Sequence, residues 1–227
     1  MEMIPLTLTA LSLPIASPQP DDWLVVALHG WGANASDLVG LTSYITLPGV
    51  RFSFPEAPFA HPYAPGGRMW YDLPAQFNAD APPALHQQSD LQESRQRLSQ
   101  WLRSLPEDSG IPLTRTVLAG FSQGGAMALD VGLSLPLAGL IILSGYCHGP
   151  LPATVTPRPI VMVHGTFDPV VPLALAQQAR ATLQAAGLSV QYHELPMGHE
   201  ISPQALTLIR TALTHLSGKP QDSERRS

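Results

Sequence analysis

Residues 114–133 read TRTVLAGFSQGGAMALDVGL, and this stretch decides the fold. Residues 116–121 form a short apolar run of the kind that makes a strand buried on both faces, and residues 123–133 have helical character. Between them Gly120-Phe121-Ser122-Gln123-Gly124 matches G-x-S-x-G, a sharp strand-to-helix turn that presents a serine at the top of a sheet. The residues two before and two after that serine must be small, because side chains there would collide, and both are glycine. The turn sets Ser122 at a helix N-terminus, whose free N–H groups and positive dipole end face any developing negative charge. The bland reading, a glycine-rich turn with a capping serine, leaves the strand before it and the helix after it without a purpose.

Outward from this turn, short runs rich in Val, Ile and Leu alternate with helical stretches, a rhythm that predicts a mostly parallel central sheet with helices on both faces. Strands are expected at 23–29, 50–54, 116–121, 137–143, 159–164 and 190–195, and helices at 36–44, 87–105, 123–133, 173–186 and 203–216. Leu6, Leu8, Leu11 and Leu13 alternate with polar residues and suggest an edge strand or hairpin before the parallel core. Prolines cluster at 48–65 and 150–159, which are expected to be loops. Residues 1–216 read as a single domain, and the charged segment 217–227, without an apolar anchor, as a disordered tail.

Composition excludes several classes. The net charge of −5 provides no basic stripe for a phosphate backbone, so nucleic acid is not an expected partner. The longest uninterrupted apolar stretch, at 137–143, is far short of the roughly 18 to 20 residues that cross a bilayer. The N-terminus has no Lys or Arg ahead of its apolar residues, carries Glu2 and is broken by Pro5 and Pro14, unlike a signal peptide. A single cysteine, Cys147, makes no internal disulfide, in keeping with a cytoplasmic location.

A serine hydroxyl becomes a nucleophile only when a base takes its proton, and that base needs an orienting carboxylate. The strand at 159–164 ends in Gly165-Thr166-Phe167-Asp168-Pro169, and the strand at 190–195 runs into Pro196-Met197-Gly198-His199. Asp168 and His199 therefore both lie at carboxyl ends of strands, the edge where sites of parallel sheets form. As isolated residues they would read as a turn-forming Asp and a helix-capping loop histidine. Oxyanion donors are expected from the backbone N–H of Gln123, next to the nucleophile, and of Trp31, in the glycine-rich loop that follows strand 23–29. His29 reads as structural.

Three other motifs compete. Gly145-Tyr146-Cys147-His148-Gly149 also has the elbow pattern, with cysteine as nucleophile, but Pro150 and Pro152 prevent the helix that would supply the donors. Gly30-Trp31-Gly32-Ala33-Asn34-Ala35 followed by Glu56 resembles a dinucleotide fingerprint, yet it lacks a long crossover helix opening at the glycines. His193-Glu194 and His199-Glu200 begin H-E-x-x-H, but Met197 and Pro203 stand where the second histidine would coordinate. Phe59, Trp70, Leu73, Phe77 and Val170 are apolar loop residues whose ordinary role is packing.

The blocks LHGWGAN, RMWYDL, GFSQGGAMAL, LSGY, HGTFDPVVP and GHEI, in that order across residues 20–216, resemble the small carboxylesterase and acyl-protein thioesterase/lysophospholipase group of α/β-hydrolases. The resemblance implies an α/β-hydrolase fold, Ser122 as nucleophile, Asp168 and His199 as its partners, Trp31 and Gln123 as oxyanion donors, and no metal or organic cofactor. It implies a small-molecule or acyl-chain ester or thioester substrate, an acylated protein among the candidates, and a homodimer as one assembly. Trp31 departs from the smaller aliphatic common at that place, and FNADAPPALHQQ does not match the group's acyl-channel loop. The expected activity is hydrolysis of carboxylic esters or thioesters through an acyl-enzyme. The alternative is a catalytically silent acyl-ligand or partner-binding module on the same scaffold.

Overall fold

The central strands are apolar at almost every position because both faces of their sheet are covered, as seen in a computed structural model that describes residues 8–12, 19–73 and 85–219. In chain order the strands are β1 (Ala10–Ser12), β2 (Trp23–Leu28), β3 (Val50–Pro55), β4 (Phe59–Ala60), β5 (Arg68–Met69), β6 (Thr116–Phe121), β7 (Gly139–Leu143), β8 (Ile160–Gly165) and β9 (Val190–Leu195). The α-helices are α1 (Ala35–Val39), α2 (Thr42–Ile45), α3 (Ser89–Ser109), α4 (Gln123–Gly132), α5 (Leu173–Ala185) and α6 (Pro203–Ser217). Seven strands pair in the order β1-β3-β2-β6-β7-β8-β9, all parallel except β1, which runs antiparallel to β3 as an edge strand.

Alternate residues serve opposite faces, as the two-residue period of a strand requires. Leu24, Val26, Leu28, Leu118, Leu140, Ile142 and Met162 join one core with Leu91, Leu98 and Leu102 of α3, Met127 and Leu129 of α4, and Leu183 of α5. Val25, Phe52, Val117, Ile141, Val161 and Val163 join the other with Ala35 of α1 and Leu206, Ile209 and Leu213 of α6, with the half-buried Ile45 of α2 alongside. β6, carrying the elbow, sits between β2 and β7 in the middle of the sheet.

Three details differ from the sequence reading. The helix expected at 36–44 is two short helices parted at Gly40 and Leu41, where the backbone bonds tighten to a three-residue spacing, Leu41 N donating to Leu38 O and Tyr44 N to Leu41 O. α3 continues through Pro106 to Ser109: the proline forfeits the bond to Leu102 O, and the helix closes beyond it with Gly110 N donating to Pro106 O at 3.1 Å and the Ser109 hydroxyl to Leu105 O at 2.6 Å. The proline-rich segment after β3 holds a short ribbon, β4 pairing antiparallel with β5, whose two-residue strands are too short to show a period. Of the expected N-terminal element, only residues 8–12 fall among those described, and of the tail only residues 217–219, Ser217 closing α6.

Candidate active site

Ser122 occupies φ 55°, ψ −120°, a conformation L-residues rarely adopt. The surroundings hold it there. Its N–H donates to Leu143 O of β7 at 2.8 Å, and its carbonyl accepts from Ala126 N at 3.0 Å as the first bond of α4. The glycines on either side are a matter of space: a Cβ at Gly120 would lie 2.2 Å from Gly124 O, and one at Gly124 would lie 2.3 Å from Leu28 O.

The expected partners converge on this serine although they lie 46 and 77 residues further along the chain. His199 Nε2 stands 2.9 Å from Ser122 Oγ and His199 Nδ1 stands 2.7 Å from Asp168 Oδ2. A carboxylate facing Nδ1 places the ring proton there, leaving Nε2 free to accept the serine O–H. The other carboxylate oxygen, Oδ1, accepts the N–H groups of Val170 and Val171, both at 2.9 Å. Burial pushes the Asp168 pKa up, but the bonds from His199, Val171 and Val170 outweigh it and hold the carboxyl below its ordinary value. The neighbouring His164 is fully buried, donates from Nε2 to Val171 O at 2.8 Å and is pushed down in pKa by that burial.

The expected oxyanion donors belong to Gln123, the residue after Ser122, and to Trp31, in the loop after β2. Gln123 opens α4, where backbone N–H groups have no helical acceptor. Its side chain is turned away and spent, accepting from Trp70 N at 2.9 Å and donating to Tyr71 O at 2.7 Å. Trp31 follows Gly30, whose added Cβ would be only 3.4 Å from Ser122 Cβ. This loop is pinned by the ribbon, since Gly32 N donates to Arg68 O and Arg68 N to Ala33 O. The Trp31 indole meets the His61 ring edge-on at 4.1 Å between centroids and stays partly exposed.

The competing motifs fare differently. The Cys147 thiol is raised by burial to about 12, and its segment continues without a helix. The Gly30–Ala35 fingerprint opens only the five-residue α1, and Glu56 accepts the Ala35 N–H at 2.7 Å, capping that helix. Among the described residues, no group of three His, Cys, Asp or Glu could hold a metal ion, and no helix is long and apolar enough to cross a membrane. Of the apolar loop residues, Trp70 is wholly buried, Val170 is exposed, and Phe77 lies outside the described residues.

Sequence reasoning missed a buried polar chain behind the site. Arg95 Nε and His148 Nδ1 both donate to Asp130 Oδ2, at 2.6 and 2.7 Å. His148 Nε2 accepts from the Tyr71 hydroxyl at 2.8 Å, whose oxygen accepts from the Tyr146 hydroxyl at 2.7 Å. Burial raises both phenols, Tyr146 to about 12. The chain fastens Tyr71, and with it the backbone carbonyl that holds the Gln123 side chain. Its members come from α3, α4 and two loops, so no local spacing announces them.

A parallel sheet with a strained serine between its central strand and a helix, and with an acid and a histidine on later strand ends, defines the α/β-hydrolase class. The chain belongs to the phospholipase/carboxylesterase family, which matches residues 14–217, and so to the hydrolases. It is 35% identical to acyl-protein thioesterase 1 of Neurospora crassa over 88% of this chain and 86% of that protein. Against acyl-protein thioesterase 1 of Saccharomyces cerevisiae it is 28% identical over 84% of this chain and 91% of that one. Among solved structures it is similar to esterase PE8, with a TM-score of 0.82, 30% identity and 92% and 99% of the two chains covered. Arabidopsis thaliana SOBER1 aligns with a TM-score of 0.75 at 25% identity, over 86% of this chain and 99% of that one.

Proposed function

We propose that this chain cleaves carboxylic esters or thioesters through an acyl-enzyme on Ser122. The observation that carries the reading is the alignment Ser122 Oγ, His199, Asp168 at 2.9 and 2.7 Å with the serine strained at the head of α4. Ser122 Oγ attacks the acyl carbonyl while His199 Nε2 takes its proton, and Asp168 holds the ring tautomer and stabilises the imidazolium. The carbonyl oxygen, now carrying the negative charge, is held by the Gln123 and Trp31 N–H groups. His199 then protonates the leaving alcohol or thiol, water repeats the sequence on the ester of Ser122, and the free acid departs. Two relatives named acyl-protein thioesterase support an acylated protein as one substrate, beside oxygen esters and lysophospholipids.

The test is intact mass after incubation with a fluorophosphonate, together with turnover of a p-nitrophenyl ester chain-length series, for wild type and Ser122→Ala. The expected result is one adduct on wild type only, with turnover in the variant reduced by several orders of magnitude at unchanged melting temperature. A folded wild-type protein that takes no adduct and turns over no ester refutes the proposal and leaves the silent acyl-binding module. A variant that keeps a tenth of the activity refutes Ser122 as nucleophile.

A further inference from the structure

The Trp31 N–H shares a peptide unit with the Gly30 carbonyl, and a planar trans peptide aims the two in opposite directions. Whatever holds the Gly30 oxygen therefore sets the direction of the Trp31 N–H. The oxygen is gripped by His29 Nδ1 at 2.8 Å and by Ala33 N at 3.3 Å. His29 is completely buried, and its second nitrogen, Nε2, accepts the Ala57 N–H at 3.1 Å. That acceptance fixes the tautomer: the ring proton sits on Nδ1 and points at Gly30 O. A protonated ring would set an Nε2–H against the Ala57 N–H, and burial also pushes this histidine down in pKa. Its backbone carbonyl accepts the Trp70 indole N–H at 3.0 Å, and the Trp70 backbone N–H in turn donates to the Gln123 side chain at 2.9 Å.

We infer that His29 is a positioning residue for the oxyanion hole: its Nδ1–H orients the Gly30–Trp31 peptide so that the Trp31 N–H faces the oxygen of the tetrahedral intermediate. A hydrogen bond into the carbonyl also polarises the N–H at the other end of the peptide. The inference deepens the hydrolase reading and rests on it. It further predicts that His29 acts in the transition state and not in ground-state binding, since a planar ester carbonyl gains less from that N–H than an oxyanion does.

Two near-isosteres separate the two ring nitrogens. The side-chain amide of His29→Asn reaches the place of Nδ1 and keeps a donor for Gly30 O. That of His29→Gln reaches the place of Nε2 and keeps an acceptor for Ala57 but releases Gly30 O. The measurements are kcat and KM for p-nitrophenyl butyrate per fluorophosphonate-labelled site, and the affinity of a trifluoromethyl ketone, which adds to the serine as a tetrahedral oxyanion. Loss of a whole oxyanion donor lowers kcat by about 10²–10³, so a misdirected one should lower it by roughly 10- to 100-fold in His29→Gln with KM little changed. The ketone affinity should fall by the same factor, and His29→Asn should recover most of both.

Equal kcat in the two variants, or a loss confined to KM, overturns the inference. If His29→Gln does not fold, the ring ¹⁵N spectrum of wild type decides: the His29 proton must be on Nδ1, and an Nε2–H tautomer overturns the assignment. Failure of the hydrolase reading is distinct, because it appears in wild type as absence of both adduct and turnover.

Discussion

Replacing Gly124 with alanine probes how closely the elbow is packed. The new Cβ would lie 2.3 Å from Leu28 O and 2.5 Å from His29 O, both backbone atoms, whereas real Cβ atoms essentially never approach within 3.0 Å of a neighbour. The head of α4 and the end of β2 must therefore separate by at least about 0.7 Å, the difference between those distances. Overpacking of this kind costs about 1–3 kcal/mol, which in a chain of this length lowers Tm by roughly 2–12 °C. The same displacement moves the Gln123 N–H relative to the Trp31 loop, and a misplacement near 1 Å can lower turnover by about 100-fold. Thermal melting by circular dichroism and p-nitrophenyl ester turnover per labelled serine measure both effects. Gly40→Ala is the control, because Gly40 has φ −59° and no atom within 4 Å of its added Cβ. That change should raise Tm by about 1–4 °C through the smaller entropy of the unfolded chain. A Gly124→Ala protein with wild-type melting and turnover would refute the packing argument.

Asp168→Asn should lower kcat by about 10³–10⁴ at nearly constant KM, because one amide cannot accept both from His199 Nδ1–H and from the Val170 and Val171 N–H groups; steady-state kinetics check it, and retention of a tenth of the activity contradicts it. Stability should decline in two stages on acidification. His29 and His164 are held below their ordinary 6.5 by burial, so the unfolded chain takes up their protons first, and the stability they contribute is present above about pH 6.5 and lost below it. Asp168 and Asp130 are held low, so their contribution is present above about pH 4 and lost as pH falls through their folded values. Melting temperature against pH shows both slopes, and a Tm that stays flat from about pH 7 to 5 would exclude the first. Cys147→Ala should leave kcat within about twofold, and Cys147 in the native protein should resist iodoacetamide near neutral pH, since its thiol lies near 12; prompt alkylation counts against that burial.

The candidate site was legible where its pattern is local. β6 and β9 have the bounds read from the sequence, Asp168 stands beside Pro169 and His199 beside Gly198, and Ser122 has a glycine two residues away on either side, all at strand ends where one-dimensional pattern and three-dimensional position coincide. What supports these residues was not legible. Asp130 has no part in the sequence reading, His148 enters only within a false elbow and Tyr71 only within the block RMWYDL, and only the packing of α3, α4 and the loop after β7 joins them. His29 read as structural because its tautomer depends on Ala57, 28 residues away in sequence. The break between α1 and α2 was hidden for a different reason: at Gly40 and Leu41 the backbone bonds tighten from a four-residue to a three-residue spacing, which hydrophobic period does not report.

The strand order also sets a problem that the sequence solves with one residue. At about 4.8 Å per strand, the end of β9 lies roughly 14 Å across the sheet from β6, with β7 and β8 between. The histidine after β9 can reach Ser122 only if its loop turns back over the end of β8. It does so at backbone contact: Thr166 N donates to Leu195 O at 2.8 Å and Phe167 N to Met197 O at 3.1 Å, while the Met197 side chain is buried against the α6 face. A Cβ at Gly165 would stand 2.3 Å from Met197 O and 2.4 Å from Gly198 O, so any larger residue there lifts the returning loop. The same crossing lays the loop of His199 over the loop of Asp168, which His164 fastens from below through Val171 O. The short contact between His199 and Asp168 is thus a consequence of how the chain gets back across β8, and Gly165 is required for space and not for its backbone angles.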